Sequence, residues 1–238
     1  MKVTDKIEIT NEDNMALMAR YPDNSICLTV TSPPYNLGKN HHTGNKKFKA
    51  YNTYVDDLPE DRYQIQQINF LNELFRITKD GGSVMYNHKN RIRNGKQITP
   101  YEWILKTNWT LKQEIVWFNG SQNFDKCRFY PMTERIYWLS KGIKTDFKNT
   151  INQHDLIKDT PEGTDKEHKR AFPLTLAERF ILCFPDSKVV FDPYLGSGTT
   201  AIASYNNDKF FTGCELDKEY YDKAIQRIKN HVSQQRLF

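Results

Sequence analysis

Two short stretches of this chain combine residue types that could bind a ligand and act on it. The first is residues 31–35, Thr-Ser-Pro-Pro-Tyr, and the second is residues 191–200, Phe-Asp-Pro-Tyr-Leu-Gly-Ser-Gly-Thr-Thr. Each follows an apolar run of strand length, residues 26–30 and 188–190, so each is predicted to stand at the C-terminal end of a buried strand. Ligands bind at that edge of open α/β sheets. The two stretches are therefore predicted to form two halves of one site.

The glycine-containing stretch has the features of a nucleoside-binding loop. A strand ending at Asp192 would lead through a turn with Gly196 and Gly198 into a helix beginning near Thr199, where close backbone approach and free N–H groups suit a ligand. A second strand would end at Glu215, close to the spacing of about 20 residues expected for a carboxylate that binds a ribose hydroxyl. An ordinary glycine turn between a strand and a helix is the alternative interpretation.

The Ser-Pro-Pro-Tyr turn offers groups that suit a planar base carrying an exocyclic amine. Pro33 and Pro34 fix two φ angles and remove two N–H donors, which predicts a rigid extended turn whose carbonyl groups have no internal partner. Ser32 adds a hydroxyl acceptor and Tyr35 adds an aromatic face. A plain turn at the end of a strand is the alternative. The presence of both stretches at strand ends, with Glu215 after the second, favours a binding site.

With these motifs the chain resembles the amino-group DNA methyltransferases, which methylate N-4 of cytosine or N-6 of adenine with S-adenosylmethionine. Their catalytic motif, Ser, Asp or Asn followed by Pro-Pro and then Tyr, Phe or Trp, is matched by residues 32–35. Their cofactor motif, Asp-Pro-Phe-x-Gly-Ser-Gly-Thr-Thr, is matched by residues 192–200 with Tyr194 in place of Phe. The catalytic motif comes first, which resembles the family's β-type order. Weaker similarities at residues 79–84, 133–136 and 168–174 extend the resemblance over about residues 25–230.

The resemblance implies a role for each residue of the two motifs. Ser32, Pro33, Pro34 and Tyr35 would be catalytic: the Ser32 hydroxyl and the Pro33 carbonyl would accept hydrogen bonds from the target amine, and the flipped base would stack on Tyr35. The residues expected to bind S-adenosylmethionine are Thr31, Phe172, Pro173, Asp192, Pro193, Tyr194, Gly196, Ser197, Gly198, Thr199, Thr200 and Glu215. No metal is expected.

The residues of the motif do not decide whether cytosine or adenine is the target, because the Ser32 hydroxyl can accept a hydrogen bond from the exocyclic amine of either base. Within the family, Ser in the first catalytic position occurs most often in enzymes that act on cytosine, so N-4 of cytosine is favoured and N-6 of adenine is the alternative. Methylation at carbon 5 of cytosine needs a cysteine nucleophile in a Pro-Cys turn, and no cysteine here follows a proline. An RNA methyltransferase and a non-catalytic DNA-binding subunit are further alternatives, although both motifs are intact.

The charge distribution is that expected of a protein that binds nucleic acid. The net charge is +5, and basic residues cluster after the predicted strands, where they would contact phosphates without reading sequence. The predicted DNA contacts are Lys39, Lys46, Lys47, Lys49, Arg91, Arg93, Lys126 and Arg128. Residues 36–56 are polar and without period, which predicts a long mobile loop that closes over the DNA. A solvated surface loop is the alternative.

The elements between the motifs indicate an α/β, Rossmann-like methyltransferase fold with a mainly parallel twisted sheet and helices on both faces. Helices are predicted at residues 62–77, ended by Gly81 and Gly82, at 99–106 after a capping box, at 173–184, and after an Asp217 cap. Further strands are predicted at residues 83–86, 113–118, 135–139 and 210–215, the second and third of these being paired.

With 238 residues, the chain is predicted to be one catalytic domain. The polar segment 141–169 corresponds to the family's target-recognition position, with a plain linker as the alternative. The chain has no apolar run of membrane-spanning length and no signal-peptide pattern, so a soluble, cytoplasmic, DNA-associated protein is expected. Double-stranded DNA is the expected partner, and a homodimer and a cognate restriction endonuclease are left open.

Overall fold

The apolar runs predicted as strands lie side by side in one mixed sheet of the computed structural model, which describes residues 1–37, 56–120, 128–159 and 172–235. The elements in chain order are β1 (Ile7–Asn11), α1 (Asn14–Met18), β2 (Ile26–Thr31), α2 (Glu60–Ile77), β3 (Thr78–His88), β4 (Arg91–Arg93), β5 (Lys96–Ile98), α3 (Tyr101–Ile104), β6 (Thr110–Phe118), β7 (Thr133–Ser140), β8 (Leu156–Lys158), α4 (Leu174–Leu182), β9 (Val189–Asp192), α5 (Thr199–Asn206), β10 (Phe210–Glu215) and α6 (Lys218–Gln235).

The sheet has the strand order β1-β10-β9-β2-β3-β7-β6-β8, and β4 with β5 forms a separate antiparallel pair. Within the described residues, β7 alone runs against its neighbours β3 and β6, and the other pairs are parallel. The central strands β2 and β9 are adjacent, with Leu28 opposite Val190 and Thr29 opposite Phe191. Their carboxyl ends therefore reach the same edge of the sheet.

Helices cover both faces of the sheet. This is shown by Val190 and Phe191, consecutive residues of β9 whose side chains point to opposite faces and pack against different helices. Val190 packs with α4, α5 and α6 in one core cluster, whereas Phe191 packs with α1, α2 and α3 in the other. Each fully buried side chain of this size stabilises the fold by about 1.5–3 kcal/mol. The prediction of a mainly parallel sheet between two helical layers is confirmed.

The junction between α2 and β3 differs from the prediction. The helix ends at Ile77 and the strand begins at Thr78, so Gly81 and Gly82 lie within the strand instead of ending the helix. A Cβ at Gly82 would stand 2.9 Å from the Cys27 carbonyl oxygen of the neighbouring β2. The glycine therefore permits the close approach of two strands.

Other predictions about local structure hold in detail. Strands β6 and β7 pair antiparallel, and the Glu102 carboxylate accepts a hydrogen bond from the Thr99 N–H at 3.1 Å, which is one half of the predicted capping box. Asp217 caps the last helix, since its Oδ1 accepts from the N–H of Glu219 at 2.9 Å and of Tyr220 at 3.2 Å. None of the helices in the described part of the chain has the length and apolar character to cross a membrane.

Part of the segment predicted for target recognition belongs to the core fold. Phe147 packs on Trp138 and Phe184, with ring centroids 4.5 and 5.6 Å apart, and β8 extends the sheet beside β6. Residues 160–169 lie outside the described residues, as does the predicted loop 36–56 apart from Asn36, Leu37 and Asp56.

Candidate active site

A buried hydrogen bond joins the two predicted motifs at the carboxyl edge of the sheet. Thr31, the last residue of β2, donates from Oγ1 to Oδ1 of Asp192 at the end of β9, over 2.8 Å. The same carboxylate accepts from the Tyr194 N–H at 3.0 Å and, through Oδ2, from the Thr200 hydroxyl at 2.8 Å. Burial nevertheless raises the pKa of Asp192 to about 6. Asp192 thus shapes the loop from inside, since it is 1 % exposed.

The loop between β9 and α5 is closed by a second carboxylate from the neighbouring strand. Oε2 of Glu215 accepts from the Gly196 N–H at 2.9 Å, and Oε1 accepts from the Asp217 N–H at 2.9 Å. Burial raises the pKa of Glu215 to about 7. Gly198 has φ +81°, and a Cβ there would stand 2.9 Å from Ile228 on α6, so a larger residue would both strain the loop and displace the helix.

The side chain of Arg227 holds the same loop from α6. Its Nη1 donates to the Ser197 carbonyl oxygen at 2.9 Å, to Ser197 Oγ at 3.0 Å and to Thr199 Oγ1 at 3.0 Å. Ser197 and Thr199 are buried. Their hydroxyls therefore serve to fix the loop conformation.

Of the remaining residues predicted at the cofactor site, Pro193 and Tyr194 belong to this loop, and Phe172 and Pro173 precede α4. Tyr194 packs edge-on against Phe70 with ring centroids 5.0 Å apart, and the Pro193 carbonyl accepts from the Cys214 thiol at 3.5 Å. Phe172 packs half-buried against the core, and Pro173 directly precedes α4.

The Ser-Pro-Pro-Tyr turn follows β2 and is held by polar side chains from β3 and β7. Ser32 Oγ lies 2.8 Å from the Tyr35 hydroxyl, which donates to Glu134 Oε2 at 3.1 Å. Asn87 Nδ2 donates to the Tyr35 oxygen at 2.8 Å and to Glu134 Oε2 at 3.2 Å. Burial raises the pKa of Glu134, an effect that nearby Lys89 opposes. The turn therefore presents its serine beside a buried carboxyl group.

The Pro34 carbonyl differs from the prediction that the carbonyl groups of the turn have no internal partner. The Tyr63 hydroxyl of α2 donates to the Pro34 carbonyl at 2.7 Å and lies 2.6 Å from His88 Nε2. Burial lowers the pKa of His88 to about 3, so its imidazole is neutral near pH 7. Tyr63 thus anchors the turn to α2 through Pro34.

Residues 26–226 of the sequence match the family of N6 and N4 DNA methylases. The chain belongs to this DNA methylase family. The predicted family and the predicted enzyme class are thereby confirmed.

Individual proteins similar to this methylase carry related names. It is 29% identical over 261 residues to the orphan methyltransferase M.BamHII of Bacillus amyloliquefaciens, covering 88% of this chain and 91% of that protein. It is 24% identical over 269 residues to the type II methyltransferase M.BglII of Bacillus subtilis, covering 97% and 71% respectively.

Two solved structures share the fold of this methylase. The PvuII DNA methyltransferase, named as cytosine-N4-specific, superposes with a TM-score of 0.76 at 19% identity over 96% of this chain and 93% of that one. TTHA0409 of Thermus thermophilus, named as a DNA modification methylase and solved in complex with S-adenosylmethionine, gives a TM-score of 0.69 at 22% identity over 94% of each chain. The predicted Rossmann-like methyltransferase fold is confirmed.

The basic residues predicted to contact DNA have different positions in this methylase. The Arg91 side chain is 2% exposed and forms a forked ion pair with Glu60, an arrangement that favours a role in the interior over the predicted phosphate contact. Arg93 is half-buried and donates to the Asn36 carbonyl at 2.6 Å, beside the turn. Arg128 is exposed. The predicted contacts Lys39, Lys46, Lys47, Lys49 and Lys126 lie outside the described residues.

The sequence alone did not indicate the site roles of Glu134, Asn87, Tyr63 and Arg227. Glu134 stands in a short stretch, residues 133–136, that resembles the family, but the resemblance implies no role for this residue. A polar residue at the end of a strand on the ligand-binding edge of the sheet is the signal that could have found Asn87 and Glu134.

Proposed function

We propose that this DNA methylase transfers a methyl group from S-adenosylmethionine to the exocyclic amine of a base in double-stranded DNA, with N-4 of cytosine as the favoured target. The observation that carries the proposal is the hydrogen bond from Thr31 to Asp192. It ties the strand that presents Ser32 to the loop that would hold the cofactor.

The donor groups of the loop fit S-adenosylmethionine. Glu215 uses one lone pair on each oxygen for a backbone N–H, so it retains acceptors for ribose hydroxyls. The N-terminus of α5 has no side-chain cap and can receive an anionic group. When bound, the cofactor supplies an electrophilic methyl group on a sulfonium. We propose that Thr31, Asp192, Thr199, Thr200 and Ser197 shape this loop, and that Gly196, Gly198, Phe172 and Glu215 line the cofactor.

The work of the chain in this reaction is to bind and orient the amine. An exocyclic amine is a poor nucleophile because its lone pair is delocalised into the ring. Hydrogen bonds to Ser32 Oγ and to the Pro33 carbonyl would draw the nitrogen toward tetrahedral geometry, while the Tyr35 ring stacks on the base. Orientation and exclusion of water can lower a barrier by up to about 7–11 kcal/mol.

The target amine is inaccessible within a stacked duplex, so the base must be flipped into the site. Cytosine is favoured by Ser32 and by the likeness of the fold to a methyltransferase named as cytosine-N4-specific. Adenine N-6 is the alternative, because Ser32 could accept from either amine. Of the residues predicted to contact phosphates, we propose that Arg93 and Arg128 do so within the described part of the chain.

The relatives are named both orphan and type II methyltransferases. A cognate endonuclease is therefore one alternative and a solitary enzyme the other. Whether the protein forms a homodimer is to be tested by sedimentation.

The test is mass spectrometry of nucleosides after incubation of DNA with the protein and methyl-labelled cofactor. We expect label in N4-methylcytosine, little label in RNA, and loss of label with Ser32→Ala at unchanged cofactor binding. Ser187→Ala is the matched control, because that buried hydroxyl has no partner within the described residues and precedes β9 at the opposite edge. Label in N6-methyladenine would reassign the base, and transfer to RNA alone would contradict a DNA substrate.

A further inference from the structure

A chain of three hydrogen-bonding side chains leads from the catalytic turn into the protein. It runs from Ser32 to the Tyr35 hydroxyl over 2.8 Å and from that hydroxyl to Glu134 over 3.1 Å. Ser32 and Tyr35 belong to the turn after β2, whereas Glu134 comes from β7, 99 positions beyond Tyr35 in the sequence.

The directions of these hydrogen bonds follow from the number of hydrogens available. An ionised carboxylate can only accept, so the single hydrogen of the Tyr35 hydroxyl points to Glu134. The Tyr35 oxygen must then accept, and it does so from Asn87 Nδ2 at 2.8 Å and from the Ser32 hydroxyl. The one hydrogen of Ser32 is thereby used, and Oγ can meet any further partner only as an acceptor.

We infer that Glu134, acting through the Tyr35 hydroxyl, is a positioning residue that holds Ser32 Oγ as a hydrogen-bond acceptor for the target amine; this rests on the proposed function. An exocyclic amine brings two N–H donors and needs acceptors for them. Asn87 supplies a second buried acceptor in the same cluster, since its Oδ1 has no partner among the described residues while its Nδ2 contacts Tyr35. Both acceptors suit an amine and neither suits a carbonyl group.

Protonation of Glu134 would reverse this arrangement. A neutral carboxyl no longer requires the Tyr35 hydrogen, which could turn toward Ser32, and the Ser32 hydrogen would then face the N–H groups of the amine. Among the described residues, the ionisable groups that face Glu134 are Lys89, whose Nζ lies 3.8 Å from Oε1, and Tyr35. The amide of Asn119 also donates to Oε1, at 3.2 Å.

The ionisation of Glu134 is therefore expected to control the rate of methyl transfer. Burial raises the pKa of Glu134, and Lys89 lowers it. Neighbouring His88, whose ring centroid lies 4.8 Å from that of Tyr35, is neutral near pH 7 because burial depresses its pKa. The transfer rate should thus fall as the pH is lowered through the ionisation of Glu134.

The experiment is a pH profile of single-turnover methyl transfer to DNA with saturating cofactor. The wild-type rate should rise with pH through one ionisation, and Glu134→Gln and Tyr35→Phe should each give a flat profile. At high pH, Tyr35→Phe, which keeps the aromatic ring, should be about ten-fold slower, as expected for loss of a hydrogen bond to a charged group. The double variant should be no slower than the slower single variant, because both break one chain.

A readout independent of activity is a carbon-13 NMR titration of the Glu134 carboxyl in the cofactor-free protein. Its midpoint should coincide with the kinetic inflection of the wild type and should move in Tyr35→Phe. Cofactor affinity should be unchanged in the variants, which also reports that they fold. If Glu134→Gln does not fold, the profile of Tyr35→Phe decides.

The chain contains a matched control of the same chemistry. The Tyr101 hydroxyl donates to Glu114 at 2.8 Å, a tyrosine–glutamate pair outside the catalytic turn, so Tyr101→Phe and Glu114→Gln should leave rate and pH profile unchanged. A wild-type pH profile in Glu134→Gln or Tyr35→Phe would overturn the inference. So would a double variant whose fold-loss in rate equals the product of the two single losses. Absence of transfer by the wild-type protein would instead contradict the proposed function.

Discussion

The Thr31 hydroxyl and the Asp192 carboxylate form a buried hydrogen bond of 2.8 Å across 161 residues of sequence. Parallel pairing of β2 with β9 brings the two strand ends together, and this bond then fixes the catalytic turn relative to the glycine loop. It is the one direct side-chain bond between the two motifs that the described residues show, so its removal tests how far the site depends on their alignment.

Thr31→Val keeps the shape of the side chain and removes this bond. We expect a loss of about 1–3 kcal/mol in the free energy of unfolding, because buried Asp192 loses a donor, and weaker cofactor binding. Thr29→Val is the control: its hydroxyl, on the same strand, is buried without a partner among the described residues, so its removal should be neutral or stabilising. Urea denaturation and calorimetric titration measure both effects. Equal losses in the two variants would contradict the prediction.

Arg227→Met is expected to weaken cofactor binding by about ten-fold, since hydrogen bonds from a charged group contribute about 1.5–3 kcal/mol. The guanidinium holds the Ser197 carbonyl oxygen and the Thr199 hydroxyl, and without it the loop samples other conformations. Lys223→Met, on the same helix but paired with Glu219 near the surface, is the control. Titration calorimetry compares them, and unchanged affinity in Arg227→Met would show that the loop does not need this contact.

The stability of the cofactor-free protein should depend on pH through Glu215. Burial raises the pKa of Glu215 from its ordinary value of 4.5 to about 7. The folded state therefore binds more protons than the unfolded state between these values. The contribution of Glu215 to the free energy of unfolding is fully present below pH 4.5 and is lost as the pH rises through about 7.

Glu215→Gln removes this ionisation, so its stability relative to wild type should improve by up to about 3 kcal/mol between pH 4.5 and pH 8. Asp192, whose pKa burial raises to about 6, shifts the stability of both proteins in the same direction, and its charge is one of the causes that raise the pKa of Glu215. Urea denaturation at several pH values provides the measurement. A difference that is constant with pH would refute the assignment.

Arg91→Met should destabilise the fold by up to about 3–5 kcal/mol, the range for breaking a buried ion pair, because the partly buried Glu60 loses its charged partner and keeps, among the described residues, only the Gln64 amide. The Arg91 guanidinium also lies 4.7 Å from the centre of the Tyr63 ring, a contact that methionine cannot replace. Arg93→Met, at a more exposed ion pair with Asp57, should cost about 0–1 kcal/mol. Thermal denaturation distinguishes the two. A stable Arg91→Met variant with weakened DNA binding would restore the original prediction of a phosphate contact.

Several features of this protein were readable from sequence because they depend on neighbouring residues. The apolar runs before residues 31 and 191 predict β2 and β9, and Asp217 caps α6 through its own backbone neighbours. Strands β4, β5 and β8 were not predicted, since runs of three residues leave little local signal. Strand β1 was also not predicted, although Ile7 and Ile9 alternate with exposed Glu8 in the manner of a strand.

The amino-acid sequence by itself determined the family, the fold class and the two motifs at the sheet edge. Tertiary structure alone decided which polar groups meet there: Glu134 reaches Tyr35 across 99 residues, and Arg227 reaches Ser197 across 30. It also decided that Arg91, a charged residue expected at the surface, is buried against Glu60. Periodicity and turn chemistry act over a few residues, whereas burial and hydrogen-bond partners depend on which elements pack together.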